Sequence, residues 1–207
     1  MIVERRSQAE RRALSEQRLL EAAVRLIAEK GSSRTTLAEI GERAGYSRGL
    51  VNQRFGSKRD LVRHLTRRIQ QEFLEQTLLP ALDGETGLAA LLAVVDTCVG
   101  GLDRAGETAR AFYVLLGESI GPVPEIRETL ALANREFRAV VEREIKRGIE
   151  AGEIRPDVEA SAQTGLLVGS LRGIAIQWLV DPDSLDLDSL RRELRQSLER
   201  TLRADRD

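Results

Sequence analysis

Cysteine and histidine are almost missing: one of each, Cys98 and His64, stands in a chain of 207 residues. A lone cysteine excludes an internal disulfide framework, and without a C-x-x-C pair there is no thiolate zinc signature. A reducing, cytoplasmic setting is the expectation. Catalysis needs a nucleophile, base or metal constellation, and one His far in sequence from one Cys offers none. H-E-x-x-H, G-x-S-x-G and a phosphate-binding glycine loop are also lacking. Neither an enzyme nor a cofactor is expected, and His64 reads as an ordinary packed or solvated side chain.

Long apolar runs are scarce too. The richest, 165–180, is interrupted by Arg172 and falls short of the roughly 20 residues a membrane span needs. The first fifteen residues are charged and lack the apolar core of a signal peptide, so a soluble chain without a membrane partner is expected. Aromatic residues make up only 3%, and strand signals are absent. What remains is Ala, Leu, Glu and Arg in abundance, a mix that favours helices. The fold class predicted is all-α.

Charge is balanced overall, at −1, but not along the chain. Residues 1–68 hold 16 Lys and Arg against 8 Asp and Glu, a balance of +8, leaving 16 against 25 in residues 69–207. A basic first third on an acidic remainder suits a nucleic-acid-binding head, 1–68, on a body, 69–207, that does not bind nucleic acid. Residues 1–14 carry Arg5, Arg6, Arg11 and Arg12 and are expected to be disordered, with a minor-groove arm as the alternative.

Within the basic third, the stretch Thr35 to Lys58 carries the chemistry. Thr35 or Thr36 can cap a helix starting near Leu37, and Glu39 completes a capping box with Thr36. Leu37, Ile40 and Ala44 share one face, and Gly45 is placed to end that helix. Ser47 caps a second helix anchored by Val51 and Phe55, and Ser57 caps the next. An earlier helix, capped by Ser15 and ended by Gly31, presents Leu19, Ala23, Leu26 and Ile27. Together these make a three-helix head built on a helix-turn-helix, whose second helix enters the DNA major groove. With Val51 and Phe55 turned inward, Arg48, Leu50, Asn52, Gln53 and Arg54 face out. Arginine suits guanine edges, Asn and Gln suit adenine, and an apolar side chain suits a thymine methyl.

These residues resemble the N-terminal domain of the tetracycline-repressor (TetR) family of transcriptional regulators. The likeness spans residues 15–61 and lies in L-L-E-A-A-V-R-L-I-A-E-K-G from Leu19, T-T-L-A-E-I, A-G-Y-S-R-G-L and F-G-S-K-R-D-L. It implies a ligand-responsive regulator, most simply a repressor, that holds a palindromic double-stranded operator as a homodimer and is released by a small effector. The implied DNA-facing set is Thr35, Thr36, Ser47, Arg48, Gly49, Leu50, Asn52, Gln53, Arg54 and Lys58. Lys58 lies at a helix N-terminus, which suits a phosphate. Asn52 stands where the family usually has tyrosine, Arg54 where it has histidine or tyrosine, and Gly41 where it has alanine. Those departures bear on which operator is read.

The body reads as helices only. One is expected from Ser57 to about Leu79, stopped by Pro80, and further ones over 86–104, 107–120, up to Ala151, 157–180 and through the last leucines. Gly165, Gly169 and Gly173 recur at four-residue spacing, and Leu187, Leu190, Leu194, Leu198 and Leu202 form a stripe. Such faces suit a two-fold dimer bundle, the role the resemblance implies for the last two helices. It also implies an effector cavity in the body. Polar residues set in apolar runs are candidates, namely Asp96, Tyr113, Glu118, Asn134, Gln163, Arg172 and Trp178. Asp96, Phe112, Tyr113, Asn134 and Trp178 are taken for its wall, a set suited to a mostly apolar effector. An architectural DNA-binding protein is the competing class, though it would have no use for such a body.

Overall fold

The computed structural model describes residues 7–121 and 123–204. Ten α-helices follow one another among them: α1 (Gln8–Arg34), α2 (Leu37–Ala44), α3 (Arg48–Phe55), α4 (Lys58–Phe73), α5 (Leu79–Ala81), α6 (Gly87–Gly100), α7 (Leu102–Ile120), α8 (Arg127–Glu150), α9 (Ala160–Val180) and α10 (Leu187–Leu202). No strand occurs among the described residues, only an isolated bridge between Ile154 and Arg203. None of the described helices is long and apolar enough to cross a membrane.

Packing divides the chain into two compact units. One runs to Ile69 and takes in Glu107–Leu130; the other holds Gln70–Gly106 and everything from Ala131 onward. The boundary after Ile69 lies one residue from the charge boundary, but a segment from the middle of the sequence joins the first unit. Its core combines Leu19, Ala23, Ile27, Ile40, Val51, Leu61 and Leu65 with Ala111, Leu115, Ile126 and Leu130. The apolar face of α7 over Ala111 to Leu116 is thus buried against the head's own core.

The second unit has a separate core, in which Leu91, Val94 and Val95 of α6 meet Val141 and Ile145 of α8, Leu167 and Leu171 of α9, and Leu198 and Leu202 of α10. Leu187, Leu194, Leu198 and Leu202 of the α10 stripe turn into this core, and α10 packs on α6. Arg195 on α10 adds an ion pair to Asp96 and a hydrogen bond to the Leu92 carbonyl at 3.3 Å. Cys98 sits partly buried among these side chains, and burial pushes its thiol up to about 12, which keeps it protonated at neutral pH.

Several helix boundaries depart from expectation, each for a local reason. The first helix begins at Gln8: Ser7 and Glu10 form a reciprocal capping box, so residues 8–14 are helical rather than disordered. Arg5 and Arg6 lie outside the described residues. Ser15 is buried mid-helix, its hydroxyl donating to the Arg12 carbonyl at 2.8 Å, and caps nothing. The helical course ends at Ala81, one residue past Pro80 and close to the expected stop. A π-turn over Leu74–Leu78, with the Leu79 amide donating to the Leu74 carbonyl, precedes a short helix with proline in its first turn, where a missing N–H costs least. Between α6 and α7 the break falls at Gly101, and Gly106 (φ 47°) kinks α7. Capped by Glu159, α9 begins at Ala160, three residues later than expected.

Gly41, where the resemblance would have alanine, is explained by a close approach. A β-carbon there would stand 2.8 Å from the Tyr46 carbonyl oxygen and 3.1 Å from the Val51 side chain. We expect Gly41→Ala to cost about 1–3 kcal/mol by forcing α2 and α3 apart, read as a lower thermal midpoint. A variant as stable as its parent would show that the turn yields without penalty.

Candidate nucleic-acid interface

The site is built by caps. Thr36 accepts the Glu39 amide at 3.2 Å while Glu39 accepts the Thr36 amide at 2.9 Å, the reciprocal box at the start of α2. Lys30 also pairs with Glu39, and these contacts, Lys30 first and then Thr36, hold its carboxyl at about 2, so it stays charged as a cap at neutral pH. Arg43, near the other end of α2, pairs with Glu29 of α1 and holds that carboxyl below the usual range. Thus α2 is tied to α1 at both ends.

At Gly45 the backbone turns left-handed (φ 78°, ψ 29°), and the Tyr46 amide reaches back to the Gly41 carbonyl at 2.7 Å. That six-to-one bond closes the helix in the way glycine permits without a steric clash. Two residues on, Ser47 accepts the Leu50 amide at 3.3 Å and starts α3. Val51 is fully buried, and Phe55 is half-buried with its ring edge-on to His64, centroids 5.7 Å apart. His64 lies 3.4 Å from the Glu16 carboxylate. These anchors fix which face of α3 looks outward.

On that face Arg48, Gly49, Asn52 and Gln53 are exposed, and Leu50 is half-buried. Nothing among the described residues bonds the side chains of Arg48, Asn52 or Gln53. Arg54 is half-buried, and its Nε is enclosed without a partner. Ser47 and Thr36 are exposed. Thr35 is the exception: it is buried, and its hydroxyl donates to the Gly31 carbonyl at 2.8 Å. Thr36, not the Thr35 side chain expected beside it, faces outward. Ser57 accepts the Asp60 amide at 3.1 Å at the start of α4. The Lys58 ammonium donates to the Ser33 carbonyl at 2.9 Å, which leaves it two further N–H groups.

The five body residues expected around an effector are not gathered in one unit. Phe112 and Tyr113 lie in the first, rings edge-on with centroids 5.2 Å apart. Asp96, Asn134 and Trp178 lie in the second. Asp96 is held by Arg195, with Arg191 at 3.9 Å, so its charge is already met inside the protein. Asn134 keeps a buried Oδ1 without a hydrogen-bond partner, and so does the Oγ1 of the fully buried Thr164. Thr164 was not anticipated; a threonine preceding the apolar run of α9 was the available signal. Among the described residues no cluster of His, Cys, Asp and Glu could hold a metal ion.

Comparison with known proteins places this geometry. Residues 19–65 match the family model for bacterial regulatory proteins of the tetR family, and residues 87–203 match that for the C-terminal part of BetI-type transcriptional repressors. The HTH-type transcriptional regulator ArpR of Pseudomonas putida is 30% identical over 189 residues, covering 82% of each chain. Among solved structures, a TetR transcriptional regulator from Chloroflexus aurantiacus superposes with a TM-score of 0.83 at 19% identity, covering 95% of this chain and 100% of its own. A transcriptional regulator from Saccharomonospora viridis in complex with choline gives 0.80 at 24% identity, covering 96% and 100%.

Proposed function

This chain belongs to the tetR family of bacterial regulatory proteins, and from that premise we propose that it represses transcription as a homodimer on a two-fold symmetric operator. It is a DNA-binding transcriptional regulator and not an enzyme. The observation that carries the reading is the outward face of α3, where Arg48, Asn52 and Gln53 have no partner within the described protein while the other face is locked by Val51. Side chains able to read base edges, on a helix held this firmly, suit the major groove. A dimer should hold two recognition helices roughly 34–36 Å apart, or a multiple of that, and enrich a palindrome from random duplexes. Enrichment of no sequence, or of an unpaired half-site, would overturn it.

Dimerisation is assigned to α9. Leu166, Ile176 and Val180 are 66%, 47% and 80% exposed, and a β-carbon at Gly169 or Gly173 would touch nothing within 4 Å. These five positions recur at helical spacing and make an apolar face with a shallow centre, which favours close approach of a second helix. Because space is open around Gly169, Gly169→Leu should leave the protomer folded while overpacking the dimer by about 1–3 kcal/mol, or roughly 5- to 150-fold in dissociation constant. Sedimentation equilibrium reads this directly, and an unchanged constant would put the interface elsewhere.

Release is assigned to a small, mostly apolar molecule bound by the body. The choline complex of a related fold supports a small ligand, and the unpartnered oxygens of Asn134 and Thr164 favour one that brings a hydrogen-bond donor on its apolar body. A molecule that fits one arrangement of the dimer better than another shifts the population toward it, and operator affinity falls when that arrangement misplaces the two heads. Trp178 is the natural reporter, through its fluorescence on titration. A duplex partner also implies an intracellular, cytoplasmic setting.

A further inference from the structure

Glu118, two residues from the end of α7, takes no part in the outward face of α3, yet its carboxylate gathers four donors. Its Oε2 accepts the Ser32 amide at 3.1 Å and the Ser32 hydroxyl; its Oε1 accepts the Ser33 amide and hydroxyl, each at 3.2 Å. All four come from one dipeptide, and Ser32 is almost fully buried. Directly before it, Gly31 breaks α1 with a φ of 82° and ψ of 161°. A β-carbon at Gly31 would lie 2.7 Å from Glu118 Oε1, so the glycine also admits the carboxylate.

The break has a mechanical effect. A helix transmits its direction through its hydrogen-bond ladder, and Gly31 interrupts that ladder just before the chain enters α2. Ser32 and Ser33 therefore need an anchor other than α1, and the Glu118 carboxylate supplies it. From the other side the Ser33 carbonyl accepts the Lys58 ammonium at 2.9 Å, and Lys58 is the first residue of α4, just past the end of α3. The α1–α2 junction and the α3–α4 turn are thereby joined through two serines. The hydrophobic contacts of Ala111 and Leu115 already hold α7 in this core, so Glu118 is not needed merely to dock its helix.

We propose that Glu118 is a positioning residue for DNA binding: by clamping Ser32–Ser33 it sets the pose in which α2, α3 and Lys58 meet the duplex. This rests on the DNA-binding reading above. Charge alone predicts the opposite sign, because removing a carboxylate makes the first unit more basic and raises affinity for any duplex. A loss confined to the specific sequence marks geometry instead.

The test uses the full chain and the duplex that the wild-type protein enriches from a random pool, with a scrambled duplex beside it. Affinities are measured at several salt concentrations for Glu118→Gln, Glu118→Ala, Ser32→Ala/Ser33→Ala and the combination of Glu118→Gln with the serine pair. The expected result is a fall of tenfold or more on the enriched duplex for both Glu118 variants, with scrambled affinity unchanged or higher. The combined variant should be no worse than Glu118→Gln alone, since both remove parts of one clamp. Amide exchange should quicken at Ser32 and Ser33 while Ile40 and Val51 stay protected. Unchanged specific affinity, an equal loss on both duplexes, or additive losses would overturn the proposal. Should Glu118→Ala unfold, the serine pair, which keeps both amide donors, carries the same criteria. Failure of the wild type to enrich any sequence would instead defeat the DNA-binding reading itself.

Discussion

A fragment ending at Ile69 will be largely unfolded, although it holds α1 to α3, most of α4 and all of the matched residues 19–65. The core around Val51 is completed by Ala111 and Leu115 of α7 and by Ile126 and Leu130 beyond it, all 4% exposed or less. Full burial of a Leu or Ile side chain contributes about 1.5–3 kcal/mol, and domains hold together by about 5–15 kcal/mol in total. Losing three such side chains and the clamp from Glu118 removes most of that margin. Within the full chain, Leu115→Ala should cost about 2–5 kcal/mol by opening a cavity that fixed neighbours cannot fill. Circular dichroism on heating tests both. Cooperative melting of the fragment near the parent's midpoint would mean that α7 merely covers a core complete without it.

Arg48→Ala should cost about 1–3 kcal/mol on the operator and relax the preference at one base pair. Arg48 stands in the first turn of α3, where N-terminal residues of a recognition helix meet base edges, and its guanidinium can pair with both acceptors of a guanine. Lys58→Ala is the contrasting case. Its remaining N–H groups suit a backbone phosphate, so the variant should weaken enriched and scrambled duplexes alike and lower the salt slope by about 1 per half-site. Titrating both variants against both duplexes separates the roles. If Lys58→Ala alters base preference while Arg48→Ala weakens all duplexes evenly, α3 docks in a different orientation.

What was legible in the sequence was chemistry acting over three or four residues. The caps at Thr36, Ser47 and Ser57, the glycine end at Gly45 and the inward pairing of Val51 with Phe55 each depend on near neighbours, and the structure has them. The same chemistry was present at Ser7 and Glu10, where a dense run of charge concealed a capping box. At Pro80 the local rule holds, since the helical course ends at Ala81, whereas the π-turn ahead of it was not foreseen. Partnerships over longer distances left no local trace. Glu118 is separated from Ser32 by 86 positions, and a carboxylate in an apolar run suggested an effector contact, not a clamp. The apolar face of α7 announced burial without naming its core, and the α10 stripe, read as part of a dimer face, packs largely within its own unit.

Because the first unit draws on two separated stretches, its completion is tied to the order of synthesis. A nascent chain that has just released Ile69 lacks Leu115, Ile126 and Leu130. At elongation rates of about 5–20 residues per second, several seconds pass before Leu130 follows. Through that interval the apolar faces of α1 and α4 lack the part of their cover that α7 and the start of α8 supply, which makes this the stage most open to chaperone capture. Truncated products of stalled ribosomes, if they stop short of Leu130, should therefore be unable to occupy the operator.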